Sequence, residues 1–408
     1  MSEWKEYTIS DITEEISMGP FGSNIKVDNF IDFGIPVLNG SNLQGHKLNE
    51  ESFNYVSEEK ADSLGKANAY RGDVVITHRG TLGQIVYIPN DSKFERYVIS
   101  QSQFRLKLDT SIVRPDFFVY YFHTREGQHK ILMNASQVGV PALARPTSTF
   151  KKVSINLPSL KTQNEIMDVV LALDDKIENN RKINENLEQQ AQALFKSWFI
   201  DFEPFKDGKF IESELGLIPE GWKVMSLSDI ANYLNGLAMQ KYRPNNGEKG
   251  LPVLKIKELG AGQCDSNSDL CSSSINEDYI VNDGDVIFSW SGTLLVDIWC
   301  GGKCGLNQHL FKVTSSKYPK WFYYLWTLHH LSRFINIAKD KAVTMGHIKR
   351  GELDTSLVCI PPENEMENAT SLIEPYIKNI ISIRVENRKL ASLRDTLLPK
   401  LMSGEIEV

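Results

Sequence analysis

The 408-residue chain predicts an α+β fold: two repeated mixed α/β globules separated by two long helices that form an intramolecular antiparallel coiled coil. Three observations carry this expectation. The first is duplication. Trp4-Lys5, leading to Ser10-Asp11-Ile12, returns as Trp222-Lys223, leading to Ser228-Asp229-Ile230. Gly34-Ile35-Pro36-Val37-Leu38 returns as Gly250-Leu251-Pro252-Val253-Leu254, and Gly72-Asp73-Val74-Val75-Ile76 as Gly284-Asp285-Val286-Ile287-Phe288. The turn Gly80-Thr81-Leu82 is answered by Gly292-Thr293-Leu294. The second observation is that matching motifs stand 218 residues apart early in each half and 203 apart at its end. Insertions and deletions therefore fall inside the globules, and a repeat this long marks a whole domain, not a solenoid unit. The third is a pair of heptad stripes in the same register. The expected order is a globule over 1–158, a helix over 159–202, a globule over 203–362 and a helix over 363–408.

In the first globule, Gly72 to Thr77 reads as a turn into a buried strand followed by a Gly-Thr turn, and Gly284 to Ser289 repeats this in the second. The aromatic runs Phe117 to Phe122 and Trp321 to Trp326 read as buried helices. They are continuous and do not alternate with basic residues, which fits packed core better than a base-stacking platform. From about Thr162 to Phe199 there is no Gly or Pro, and Val170, Leu173, Ile177, Asn180, Asn184, Leu187, Ala191, Leu194 and Trp198 form an a/d stripe. The second stripe runs Ile373, Tyr376, Ile380, Ile383, Asn387, Leu390, Arg394, Leu397 and Leu401. Each helix would be ~50 Å long at 1.5 Å per residue, more than one globule needs to cover itself. Asn184 and Asn387 at seam positions would fix register at a cost in stability. Pro375 is placed near the start of its helix, where a missing N–H is tolerated, and Pro399 is expected to end or kink it.

Composition excludes several classes. Apolar and charged fractions, 41% and 24%, are those of a globular protein. No apolar run is long enough to span a bilayer, and the N-terminus lacks the layout of a signal peptide, so the cytoplasm is expected. Cys264, Cys271, Cys300 and Cys304 do not match common zinc spacings and have no counterparts in the first half, which favours reduced thiols. Net charge is −7, yet residues 1–158 and 203–362 each hold 17 Lys+Arg against 18 Asp+Glu. Near-neutral globules would not bind a polyanion tightly by charge alone and would need a partner to supply further phosphate contacts.

Catalytic signatures are missing from the sequence. It has no P-loop, GxGxxG, HExxH or Gly-x-Ser-x-Gly motif. The Asn-or-Asp-Pro-Pro-aromatic motif of amino-methyltransferases is not matched by Pro361-Pro362, which lies between Ile360 and Glu363. His78, His309 and His347 have no nucleophile or metal-ligand pattern beside them, so surface or hydrogen-bonding roles are the default.

Several ordered motifs then carry a family resemblance across essentially the whole chain. They are Gly19-Pro20-Phe21-Gly22-Ser23, the stretch Gly34 to Asn42, and Thr77-His78-Arg79-Gly80-Thr81-Leu82-Gly83. In the second half they are Gly305-Leu306-Asn307-Gln308-His309-Leu310-Phe311, with Leu194 to Phe199 and Leu393 to Leu401 at the helix ends. The chain resembles the DNA specificity subunits of type I restriction-modification systems. The resemblance implies two target recognition domains, each reading half of a bipartite, asymmetric site in double-stranded DNA. The helices would act as spacer and as docking surface for two methyltransferase subunits. Those partners would carry S-adenosylmethionine and methylate adenine, with two restriction/translocase subunits joining to cut unmodified DNA. No cofactor is expected in this chain, no metal, no membrane association and no catalysis of its own.

On this reading, base or phosphate contacts fall on matching loops. In the first half these are Ser23, Asn24, Lys26, Asn42, His78, Arg79, Thr81, Gln101, Gln103 and Arg145. In the second they are Gln240, Lys241, Arg243, Lys255, Lys257, Trp290, Ser291, Thr293, Gln308, His309, His347 and Lys349. Amide and guanidinium groups among them suit bidentate contacts to A or G. Two rivals stay open: a self-sufficient DNA nuclease, for which no defensible acidic cluster with a lysine is found, and a coiled-coil scaffold with two protein-binding globules.

Overall fold

A computed structural model of the chain describes residues 4–22, 24–136, 139–340 and 347–407. The chain divides into two compact units, Met1–Asp174 with Ser392–Val408, and Asp175–Ala391. Each unit holds one globule and a section of both long helices, which run over Leu160–Phe199 and Glu363–Ser403.

The duplication in sequence is a duplication of topology. In the first unit an antiparallel sheet has the order Thr13–Met18, Gln103–Leu108, Val74–Thr77, Ile85–Tyr87. In the second the order is Asn232–Asn235, Leu310–Thr314, Val286–Ser289, Leu295–Ile298, strand for strand the same. A further four-stranded sheet in each unit contains one parallel pair, Ile35–Val37 with Arg96–Val98 and Leu251–Leu254 with Cys304–Leu306. Each globule is closed by its end strands, Lys5–Thr8 on Ser154–Leu157 and Lys223–Ser226 on Leu357–Ile360.

The Gly-Asp-strand motif sits at the centre of this plan. Val74 and Ile76 face one apolar cluster while Val75 faces another. Val286 and Phe288 are likewise separated from Ile287. A strand buried on both faces must be apolar at every position, which is why these runs do not alternate. The aspartate closes the turn before the strand: Asp73 accepts the Tyr70 N–H at 2.9 Å, and Asp285 accepts that of Asn282 at 2.9 Å. A cation from the neighbouring strand meets each one, Arg105 at 3.1 Å from Asp73 and Lys312 at 3.1 Å from Asp285. Burial still pushes the Asp73 carboxyl up to about 6.

The aromatic runs form helices, Pro115–His123 and Lys320–Asp340, with Phe117 to Phe122 and Trp321 to Trp326 all buried. They back the sheets and anchor the long helices. In the first unit the Tyr120 hydroxyl bonds Asp174 of the first long helix, and Arg394 of the second donates to the same carboxylate at 2.5 Å. Ile166, Met167 and Val170 join one core with Leu398, Leu401 and Met402.

In the second unit Asn180 donates to Glu386 at 2.7 Å and to Asn387 Oδ1 at 2.8 Å, and Asn387 donates to the Ile177 carbonyl at 3.1 Å. Arg384 reaches Glu188 at 2.7 Å. Rising numbers on one helix meet falling numbers on the other, so the pairing is antiparallel. Asn387 is thus a seam residue as expected, but its partner is Asn180; Asn184 is buried with Oδ1 unpaired. Arg384 also donates to Asp297 at 2.7 Å, and Arg388 grips Asp283 at 2.6 and 2.8 Å, tying the second helix to its globule.

Pro375 departs from expectation, and Pro399 does not end its helix. The helix begins at Glu363 and runs to Ser403, so Pro375 is interior and Pro399 neither starts nor ends it. Each removes one i to i−4 bond, freeing the carbonyls of Ser371 and Asp395. Those residues and both prolines lie on the exposed face, where the freed carbonyls are open to solvent. Among the described residues no helix is long and apolar enough to cross a membrane.

Asn180→Leu removes the donor shared by two seam acceptors and is expected to destabilise the protein by about 1–3 kcal/mol. Urea unfolding checks this. The double variant Asn180→Leu/Asn387→Leu, which removes both partners, is expected to recover most of the loss.

Candidate nucleic-acid interface

In the first globule four loops converge at one end of the sheet containing Val74–Thr77. The Gly19 N–H donates to the Gln103 carbonyl at 2.8 Å, and a Cβ at Gly19 would lie 1.9 Å from the Ser100 carbonyl oxygen. Only glycine allows this approach. The His78 N–H donates to the Ser102 carbonyl at 2.8 Å, and the Leu143 N–H to the His78 carbonyl at 2.8 Å. Arg79 forms a bridge with Ala142. His78 Nε2 lies 3.1 Å from the Gln101 carbonyl, which can only accept, so Nε2 carries the proton. Burial holds this imidazole below its ordinary value, keeping it neutral near pH 7.

The second globule repeats the constellation position by position. The Gly236 N–H donates to the Leu310 carbonyl at 3.0 Å, and a Cβ there would lie 2.2 Å from the Asn307 carbonyl oxygen. The Trp290 N–H approaches the His309 carbonyl at 3.4 Å, the Ile348 N–H donates to Trp290 at 3.1 Å, and Ser291 bridges His347. Trp290 therefore stands where His78 stands, and Arg350 where Arg145 does. The Trp290 indole donates to Asn235 at 3.0 Å and lies 6.1 and 6.4 Å from the rings of His309 and His347. The Gln308 amide nitrogen, a donor only, is 3.3 Å from His309 Nε2. His309 thus carries its proton on Nδ1 and donates it to Ser291 Oγ at 3.0 Å.

The sequence-derived residues divide by placement. Asn24, Lys26, Arg79, Thr81, Gln101 and Arg145 are exposed on or beside the converging loops. Arg145 adopts φ 47°, a left-handed backbone rare outside glycine, which fixes the direction of the chain at that corner. Ser23 lies outside the described residues. Asn42 and Gln103 are each 1% exposed and serve the fold: Asn42 donates to the carbonyls of Asn49 and Ser52, and Gln103 accepts the Ser100 N–H at 2.9 Å. In this conformation neither side chain can reach a ligand.

In the second half Trp290, Ser291, Thr293, Gln308, His309, His347 and Lys349 share one loop cluster, with Ser291 buried and the others partly or fully exposed. Gln240, Lys241 and Arg243 are exposed farther along the turn leaving Leu237. Lys255 pairs with Asp269, and Lys257 with Asp265 at 3.6 Å. Exposed pairs of this kind are weak enough to open for a competing anion. Asn235 and Arg350 were not singled out from the sequence. The constant spacing from Leu143-Ala144-Arg145 to Ile348-Lys349-Arg350 was the signal for the arginine; nothing local marked Asn235.

The loops present amides, guanidinium groups and imidazoles, a donor-and-acceptor set suited to base edges and phosphates. Among the described residues no three His, Cys, Asp or Glu side chains converge as metal ligands would.

Fold and site define a duplicated-domain protein carrying the same recognition loops twice, on globules joined to paired long helices. A family model for the type I restriction modification DNA specificity domain matches residues 1–189 and 219–392, and the chain belongs to that family. It is 30% identical over 346 residues to the MjaIX specificity subunit of Methanocaldococcus jannaschii, covering 83% of this chain and 78% of the relative. It is 26% identical to the HindI specificity subunit of Haemophilus influenzae, over the full length of both. The fold is similar to the crystal structure of a type I restriction-modification S subunit from M. genitalium, with TM-score 0.54, 15% identity and coverage of 98% and 96%. The chain is accordingly a DNA specificity subunit, a non-catalytic component of a type I restriction-modification system.

Arg145→Ala is expected to weaken binding to all DNA sequences alike and to reduce the salt dependence of log K by about one unit of slope. Titrations across a salt series check this. A changed base preference with an unchanged slope would instead mark Arg145 as a base reader.

Proposed function

We propose that the chain reads a bipartite, asymmetric site in double-stranded DNA, one half per globule. It thereby directs adenine methylation, and cleavage of unmodified DNA, by partner subunits in the cytoplasm. The observation that carries this reading is that one backbone constellation recurs in both globules with different side chains on it. His78 is replaced by Trp290, Arg79 by Ser291 and Ser102 by His309. Equal frames with unequal surfaces suit two half-sites of unequal sequence.

Two methyltransferase subunits would dock on the paired helices and supply S-adenosylmethionine and the catalytic groups; two restriction/translocase subunits would join for cleavage. The cationic loop residues, Arg79 and Arg145 in the first globule and Lys349 and Arg350 in the second, would hold phosphates. The amides of Gln101 and Gln308 would face base edges.

On this reading the helices set the distance between half-sites. Matched heptad insertions in both long helices add about 10 Å at 1.5 Å per residue. They are expected to lengthen the non-specific spacer by about three base pairs, at 3.4 Å per pair, and to leave both half-sites unchanged. Sequencing the motifs methylated by the reconstituted complex tests this. An unaltered spacer would sink the ruler, and methyl transfer by the isolated chain would sink the division of labour.

A further inference from the structure

Phe21 is 83% exposed and belongs to none of the buried clusters of its globule. Its position is not loose. Gly19, two residues before it, is held against the Ser100 carbonyl. A Cβ on Gly22, the next residue, would meet the Gln101 amide oxygen at 2.2 Å. The Phe21 carbonyl accepts the Asn24 N–H at 2.8 Å, closing the turn. The backbone on both sides is thus packed onto the loop carrying Gln101, while the ring itself stands in solvent.

The surroundings indicate what the ring meets. Gln101 contacts His78 through its carbonyl, Arg79 follows His78, and the bridge from Arg79 to Ala142 leads to Arg145. Asn24, Arg79, Gln101 and Arg145 are all exposed. Val27 and Phe33 are as exposed as Phe21, but their segment carries the exposed carboxylates Asp28 and Asp32, which a phosphate backbone would repel. Of the three, only Phe21 has no carboxylate beside it in the chain. In the second globule the glycine matching Gly19 is Gly236, which puts Ala238 in the place of Phe21. Leu237 there is packed against buried core.

We propose, resting on the DNA-reading function above, that Phe21 is an apolar wedge. It enters the base stack of the half-site read by the first globule, parts one base step and kinks the duplex there. A wedge favours steps that unstack easily, pyrimidine–purine steps above all. Phe21 therefore adds a sequence requirement to the first half-site that hydrogen bonding does not supply. The second half-site, facing Ala238, carries no such requirement.

The test uses the full chain assembled with its methyltransferase subunits, on duplexes carrying the methylated motif with 2-aminopurine placed at successive positions of each half-site. Extrusion of the target adenine by the methyltransferase raises fluorescence at one position of each half-site. The wedge is expected to add a rise at one further step, in the half-site of the first globule only, and it is this added rise that the variants are read against. Phe21→Ala is expected to abolish the added rise and weaken specific binding about tenfold with the salt dependence unchanged, and Phe21→Leu to keep part of it. An added rise that persists in Phe21→Ala overturns the wedge. So does a Phe21→Ala complex that loses a partner subunit on sizing while its added rise is intact, the mark of a protein-docking ring. Specific binding with no added rise in the wild-type complex overturns the wedge alone. No specific binding by the wild-type complex overturns the DNA-reading function itself, and the wedge with it.

Discussion

Asn180, 1% exposed, donates to both Glu386 and Asn387 across the seam of the paired helices. A buried amide with two partners at 2.7 and 2.8 Å tolerates little sliding, because a shift of one turn would strand all three groups. Apolar seam residues such as Ile373 and Ile380 would accept several registers; the asparagines accept one. The arginine contacts extend the same constraint to each globule: in the first unit Arg394 and the Tyr120 hydroxyl both meet Asp174, and in the second Arg384 and Arg388 hold Asp297 and Asp283. Polar contacts inside an otherwise apolar interface thus fix each globule to its own helix sections, and stability is exchanged for definition.

The recognition loops obey a related division. Their backbone bonds are conserved between the halves of the chain: Gly19 with Gly236, His78 with Trp290, Leu143 with Ile348. Those bonds use main-chain groups and two crowded glycines, so they place almost no demand on the side chains between them. The frame can therefore stay fixed while the surface changes, which is what a protein needs if two copies of one domain are to read different sequences. His309 in the second half and His78 in the first are held by different bonds, yet each imidazole is oriented by its immediate neighbours.

Much of this was legible in the sequence for physical reasons. Long uninterrupted stripes and Gly-Asp turns carry strong periodic or conformational signals, and duplication displays each of them twice. The long helices accordingly lie where the stripes placed them, and Val74–Thr77 and Val286–Ser289 are the buried strands that the motif implied. Pro375 at a helix start and Pro399 at a helix end were misread because a long helix with tertiary partners can give up a hydrogen bond on its wet face, a context that local propensity does not contain. The seam pairing of Asn387 with Asn180 depends on helix offset, which no single helix encodes. Asn42 and Gln103 have side chains suited to reading bases, but a loop folded back on itself uses them first. Asn235 was invisible because its role depends on where the Trp290 indole falls in space.

The most direct test of the proposed function is long-read methylation profiling of the host with and without the gene for this chain. Loss of a single split, asymmetric N6-methyladenine motif on deletion, restored by complementation, is the expected result, and it would also deliver the two half-sites. An unchanged methylation pattern, with the partner methyltransferase expressed, would contradict it.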